Sequence, residues 1–159
     1  MRKLALVVFA VLSVIIGSCR KDSKPIEKQD FYFTANKNNE SWVAQFVAFG
    51  ENGAKNYVLV GNKLEEHFRI NITTNSLNQY VVIAPKTEFI ITVGQDAVVA
   101  RYILDEDATN KVNVTSYDTT KVIMKGNFNI YLKKVTGDNN YPATINFSSG
   151  NFKLTKAYD

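Results

Sequence analysis

Catalysis and metal binding need side chains that can change protonation, attack or ligate, and this chain of 159 residues holds few of them. His67 is its only histidine, so a centre with several imidazoles is excluded and any Ser-His-acid triad would have to use this residue. Its parity is opposite to that of Phe68 and Ile70, which in a strand turns it to the polar face beside Arg69. The only cysteine, Cys19, falls in the N-terminal segment, which leaves the remainder without a thiol nucleophile or a zinc–thiolate site. Asp105, Glu106, Asp107 and Thr109 offer the first oxygens of a calcium loop. Asn110 then stands where that loop needs Gly, and Ser116 takes the twelfth position in place of a bidentate Glu, so a solvated turn between strands is expected. No spacing singles out a carboxylate pair for glycoside hydrolysis, although such acids need only meet within about 5 to 10 Å. Eight glycines, none in a phosphate-loop or dinucleotide arrangement, complete the expectation of a protein that is no enzyme and holds no metal or cofactor.

The elements that carry these residues read as strands. Over residues 121–133, Val122, Met124, Gly126, Phe128, Ile130 and Leu132 alternate with mostly Lys and Asn, the pattern of a strand with one face in a core and one in water. Gly126 within so regular a strand implies a bend or a closely approaching backbone. The same alternation runs through Phe31, Phe33 and Ala35; Trp42, Ala44, Phe46 and Ala48; Phe68, Ile70 and Ile72; and Phe89, Ile91 and Val93. Further strands are expected over 57–60, 80–83, 98–104, 111–117, 143–147 and 152–154. Turn-formers separate them at Asn38-Asn39, Glu51-Asn52-Gly53, Asn75-Ser76, Asp118-Thr119-Thr120, Gly137 to Asn140 and Ser149-Gly150. Residues 62–67 are the best helical stretch and are too short to stand alone. About ten antiparallel strands in one domain over residues 31–159 predict an all-β fold, either a β-sandwich or a closed or partly closed β-barrel. An apolar fraction of 45% excludes a disordered chain.

The N-terminus has a separate logic. Arg2 and Lys3 precede 13 apolar-to-small residues, Leu4 to Ile16, and then Gly17, Ser18 and Cys19, the order of charged, hydrophobic and cleavage regions in a secretory signal. Thirteen residues fall short of the roughly 20 that a helix needs to cross a bilayer. Ile16-Gly17-Ser18-Cys19 resembles the lipobox of bacterial lipoproteins, which implies removal of residues 1–18 and acylation of Cys19. Residues 19–30 then form the lipidated cysteine and a polar tether, mixed in charge, that reaches roughly 30 to 40 Å when extended. Loss of Arg2 and Lys3 lowers the formal charge from +4 to +2, a near-neutral balance that selects no nucleic acid. The expected location is the cell envelope, on the outer membrane with its exposed face open, and the expected partner is the membrane itself through the lipid.

Candidate binding residues are aromatic. Trp42, the only tryptophan, shares the apolar parity of Ala44 and Phe46 and reads as a core anchor. Tyr32, Tyr117 and Tyr131 lie on the polar parity of their strands and form the candidate ligand face, able to stack on a glycan or meet a protein. Asp118-Thr119-Thr120 resembles the three-residue O-glycosylation motif of Bacteroidota, which implies Thr119 as an acceptor. The stretch from Phe33 to Ala44, with residues 112–118, 125–128 and 149–152, resembles a group of small uncharacterised Bacteroidota lipoproteins. That resemblance implies a lipid-anchored β domain with a non-catalytic binding or envelope-assembly role. Two alternatives stand beside it: a lipocalin-like barrel holding a small apolar ligand near Ala44, Ala48, Ala100 and Gly126, and a glycan-binding accessory of a surface uptake system.

Overall fold

A computed structural model describes residues 30–75, 79–83 and 86–157. Cys19, the apolar run before it and residues 20–29 lie outside the described residues. The fold is all-β and antiparallel. Its eleven strands are β1 (Tyr32–Lys37), β2 (Glu40–Val43), β3 (Phe46–Glu51), β4 (Asn56–Lys63), β5 (Glu66–Thr74), β6 (Tyr80–Val82), β7 (Glu88–Val93), β8 (Ala97–Leu104), β9 (Lys111–Asp118), β10 (Ile123–Gly137) and β11 (Thr144–Thr155). They form one sheet in the order β2-β1-β11-β10-β8-β7-β5-β4-β3, with β6 added to β5 and β9 added to β10. The sheet curls until β3 meets the end of β11 at a single parallel bridge, Phe49 to Lys156, so the barrel is partly open.

The core is aromatic. Phe33, Trp42, Phe68, Phe89, Phe128, Phe147 and Phe152 are all buried and meet mostly edge to face, as the ring quadrupole favours. Phe68 and Phe147 stack with centroids 4.2 Å apart. Trp42 is the expected core anchor, and its one polar atom is satisfied: Nε1 donates to Glu66 Oε2 at 2.5 Å, while Lys37 pairs with the other oxygen of the same carboxylate.

Rings of this size fit because glycines face them. A Cβ on Gly150 would lie 2.4 Å from the Phe128 ring, and one on Gly61 would lie 2.9 Å from Phe33. At Gly126 a Cβ would meet the Asn113 carbonyl at 2.2 Å and Phe152 at 2.5 Å, which is the close backbone approach expected of that residue.

Where the structure departs from the alternation pattern, the cause is a bulge or a tight turn. Ser149-Gly150 is not a turn: β11 runs on through it, with Ser149 at φ 51° and a register shift between Phe128 and Ile130 on its partner. The extra residue moves burial from Phe147 to Gly150 and Phe152, so the two short strands expected there are one. Where β8 carries an extra residue, Val99, between the partners of Ile91 and Thr92, Thr92 is buried and Val93 is exposed. Phe46, expected in the core, is 56% exposed because burial in β3 falls on Ala48 and Phe49. Residues 62–67 form no helix; Leu64, at φ 51°, turns β4 directly into β5.

Gly150→Ala is expected to destabilise the fold by about 2 kcal/mol through overpacking against Phe128. In urea unfolding, adding Phe128→Leu to that variant should restore part of the loss, because the collision is with that ring.

Candidate functional site: a slot between two strand edges

The barrel wall forks. Along one side of β5, β7 occupies residues 66–69 and β6 occupies 72–74; along one side of β10, β8 takes residues 132–137 and β9 takes 123–129. β7 and β8 are paired with each other. β6 and β9 run side by side without a ladder, and a slot opens between them.

Two side chains replace the hydrogen bonds lost at the fork. On the β5 side, buried Thr87 accepts the Asn71 N–H on Oγ1 at 3.0 Å, and its carbonyl accepts the Leu104 N–H at 3.2 Å. On the β10 side, Asn110 accepts the Tyr131 N–H at 2.8 Å while its amide donates to the Asp105 carbonyl at 2.6 Å. Asp105, Glu106 and Asp107 thus belong to a turn at the slot's rim, with Lys133 lying 3.5 Å from Asp105.

The slot holds two adjoining cavities of about 480 and 570 Å³. Both are bordered by Tyr80, Val81, Lys111, Val112 and Asn113, with Glu106 and Asn110 at one end and Gln79 and Val114 at the other. Backbone bonds from Asn75 to Gln79 and from Ile83 to Asn71 tie β6 to β5. By the two-residue period, the N–H and C=O groups of Tyr80 and Val82 point the other way, into the slot. Its lining therefore combines aromatic and aliphatic surface with amide, cationic, anionic and backbone groups.

Beside the slot, three tyrosines converge. Tyr57 lies 5.9 Å from Tyr80 and 5.8 Å from Tyr117, ring to ring, and Tyr117 meets Phe49 edge-on at 5.7 Å. The Tyr117 hydroxyl donates to Glu51 at 2.9 Å, and Lys156 reaches the other Glu51 oxygen at 3.2 Å. Burial first, and then the bond to Glu51, push the Tyr117 phenol up to about 12. Burial also raises Tyr80, whereas the Tyr117 and Lys156 bonds hold Glu51 below the usual carboxylate range.

This grouping differs from the expected one. Tyr32 and Tyr131 do lie on the outer face of the β1-β11-β10 sheet, each 38% exposed. Tyr32 is in register with Lys153, which faces Lys125, six residues from Tyr131, so the two rings stand about 20 Å apart along the strands. Tyr117 is not with them. Thr115 is an extra residue in β9, between Val114 opposite Gly126 and Ser116 opposite Lys125, and it turns Tyr117 from the polar to the apolar side. Tyr57 and Tyr80 carry no local signal beyond opening strands. Thr119 is exposed in the β9–β10 turn, whose backbone N–H groups at Thr120 and Lys121 are capped by Asp118.

His67 is half-buried, with Nε2 3.3 Å from Thr92 Oγ1. The Thr92 hydroxyl also lies 2.6 Å from Glu65, and a carboxylate is the stronger acceptor for its single proton. The imidazole then donates to Thr92 and does not act as its base. Comparison of the chain with protein-family models, curated proteins and solved structures finds no match.

The raised Tyr117 value sets a window in alkali. Below pH 10 the phenol is protonated in both folded and unfolded chains; from there to about 12 the unfolded chain loses the proton first, so stability falls as pH rises. Tyr117→Phe should flatten that decline in thermal unfolding measured between pH 9 and 12, and a slope unchanged by the substitution would show that Tyr117 does not cause it.

Proposed function

We propose that the protein is a non-catalytic, lipid-anchored binding protein of the bacterial outer membrane, of the Bacteroidota lipoprotein kind its sequence resembles, and that it takes a saccharide in the slot between β6 and β9. The observation that carries the reading is the pairing of a ring-filled core with a polar slot. An apolar ligand would need an empty interior, and here the rings pack against one another across the barrel. A sugar needs a flat apolar surface and several hydrogen-bonding groups in one place. Tyr80 and the valines beside it supply the first. Gln79, Asn113, Glu106, Lys111 and the free edge of β6 supply the second.

The anchor rests on Ile16-Gly17-Ser18-Cys19 and on the absence of any second cysteine. Mass spectrometry of the exported protein should find Cys19 as the first residue, carrying acyl chains. An unmodified N-terminus, or cleavage elsewhere, would refute it. On an array of bacterial and host polysaccharide fragments, the full chain should bind a defined subset. Tyr80→Ala and Asn113→Ala should each weaken that binding about tenfold, the equivalent of 1.4 kcal/mol. An array without signal, or signal indifferent to both substitutions, would reject a saccharide at this slot.

A further inference from the structure

On the outer surface of β10 and β11, Lys125 and Lys153 stand directly opposite one another in register. Like charges so placed repel, and nothing in the hydrophobic pattern requires them there. They share a dent of about 380 Å³ with Lys121, Ser116 and Asp118. Asp118 is the one carboxylate in that dent, and its Oδ1 is occupied by the N–H groups of Thr120 and Lys121. After those backbone bonds, Asp118 is close enough for Lys121 and Lys125 to help hold its carboxyl below the usual range. Yet none of Lys121, Lys125 and Lys153 has a carboxylate within 4.0 Å among the described residues, so one carboxylate stands against three ammonium groups. The same row continues to Tyr32, which pairs with Lys153, and Phe31 lies beneath the Lys153 ammonium at 5.4 Å. This is also where the chain reaches the barrel from its N-terminal side. Between Cys19 and Asp30 there are ten residues, which when extended span no more than about 36 Å.

We propose that Lys121, Lys125, Lys153 and Tyr32 form a face that seats the barrel on the phosphates of anionic lipid headgroups. The proposal rests on the lipid anchor argued above. A tether of that length keeps this face near the bilayer, the three ammonium groups meet the phosphates, and the exposed tyrosine suits the headgroup zone. An anion between Lys125 and Lys153 also removes their mutual repulsion. Each lysine close to an anionic surface strengthens attachment about fivefold, so the three together contribute about a hundredfold.

The test uses the full lipidated chain on phosphatidylcholine vesicles, with and without phosphatidylglycerol, and follows acetylation of individual lysines by mass spectrometry. Lys121, Lys125 and Lys153 should react severalfold more slowly only when phosphatidylglycerol is present and salt is low, with Lys86 unchanged. Lys125→Glu with Lys153→Glu should abolish the slowing at Lys121. Equal rates on both vesicles would overturn the proposal. Slowing on neutral vesicles when inorganic phosphate is added would assign the lysines to a soluble anion and overturn the membrane reading. Flotation with neutral vesicles reports the anchor separately. A chain that fails to float refutes the anchor, and the same rates with phosphatidylglycerol vesicles in excess still decide whether this face binds them.

Discussion

The fold depends on large rings packing against bare backbone. Phe128 over Gly150, Phe152 over Gly126 and Phe33 over Gly61 bring strands of one curled sheet close enough for seven phenylalanines and a tryptophan to share a single interior. A methyl group at any of the three glycines would hold the rings away. The sheet bends most easily where it has no side chain on its inner face, so the glycines set the curvature and the rings occupy the space that curvature encloses. The rest of the molecule follows from this. With its inside taken up by aromatic surface, the barrel has its openings at the wall.

The fork in that wall is managed by polar side chains in place of a ladder. Thr87 and Asn110 each stand where a strand changes neighbours, and each accepts a backbone N–H that the fork leaves without a strand partner. The result is a slot whose position is fixed by rigid strands, with loop residues only at its ends. Glu51, Tyr117 and Lys156 add a second brace, joining β3, β9 and the chain beyond β11 through one carboxylate.

Much of the fold was legible because alternation is a direct print of burial. The long run from Met124 to Leu132, the core position of Trp42 and the turns at Asn38-Asn39 and Asp118 to Thr120 all follow from period and turn chemistry. The register shifts were not legible. An extra residue such as Thr115 or Ser149 looks in sequence like any other polar residue, yet it reverses the sense of everything after it. Tyr117 was placed on the wrong side for this reason; Val93 lies opposite a neighbouring strand that carries its own extra residue, Val99. The site was less legible than the fold. Tyr57, Tyr80 and Tyr117 belong to three strands, and only the curl of the sheet makes them neighbours. Thr87 and Asn110 have the composition of ordinary loop residues, and their roles depend on which backbone groups the fork leaves open.

The pairing of β1 with β11 has a consequence in time. Tyr32 finds its partner at Lys153, and Phe33 at Phe152, across almost the whole length of the domain. The N-terminal strand and the ring it carries must therefore wait for the last strand to be made, while hairpins such as β4–β5 and β7–β8 can form at once. Contacts this distant make for slow folding, and during the delay Phe33, Phe128 and Trp42 are without their shelter. Completion of the barrel is thus a single late event that belongs to the C-terminal twelve-residue strand, which closes on β1 and β10 together.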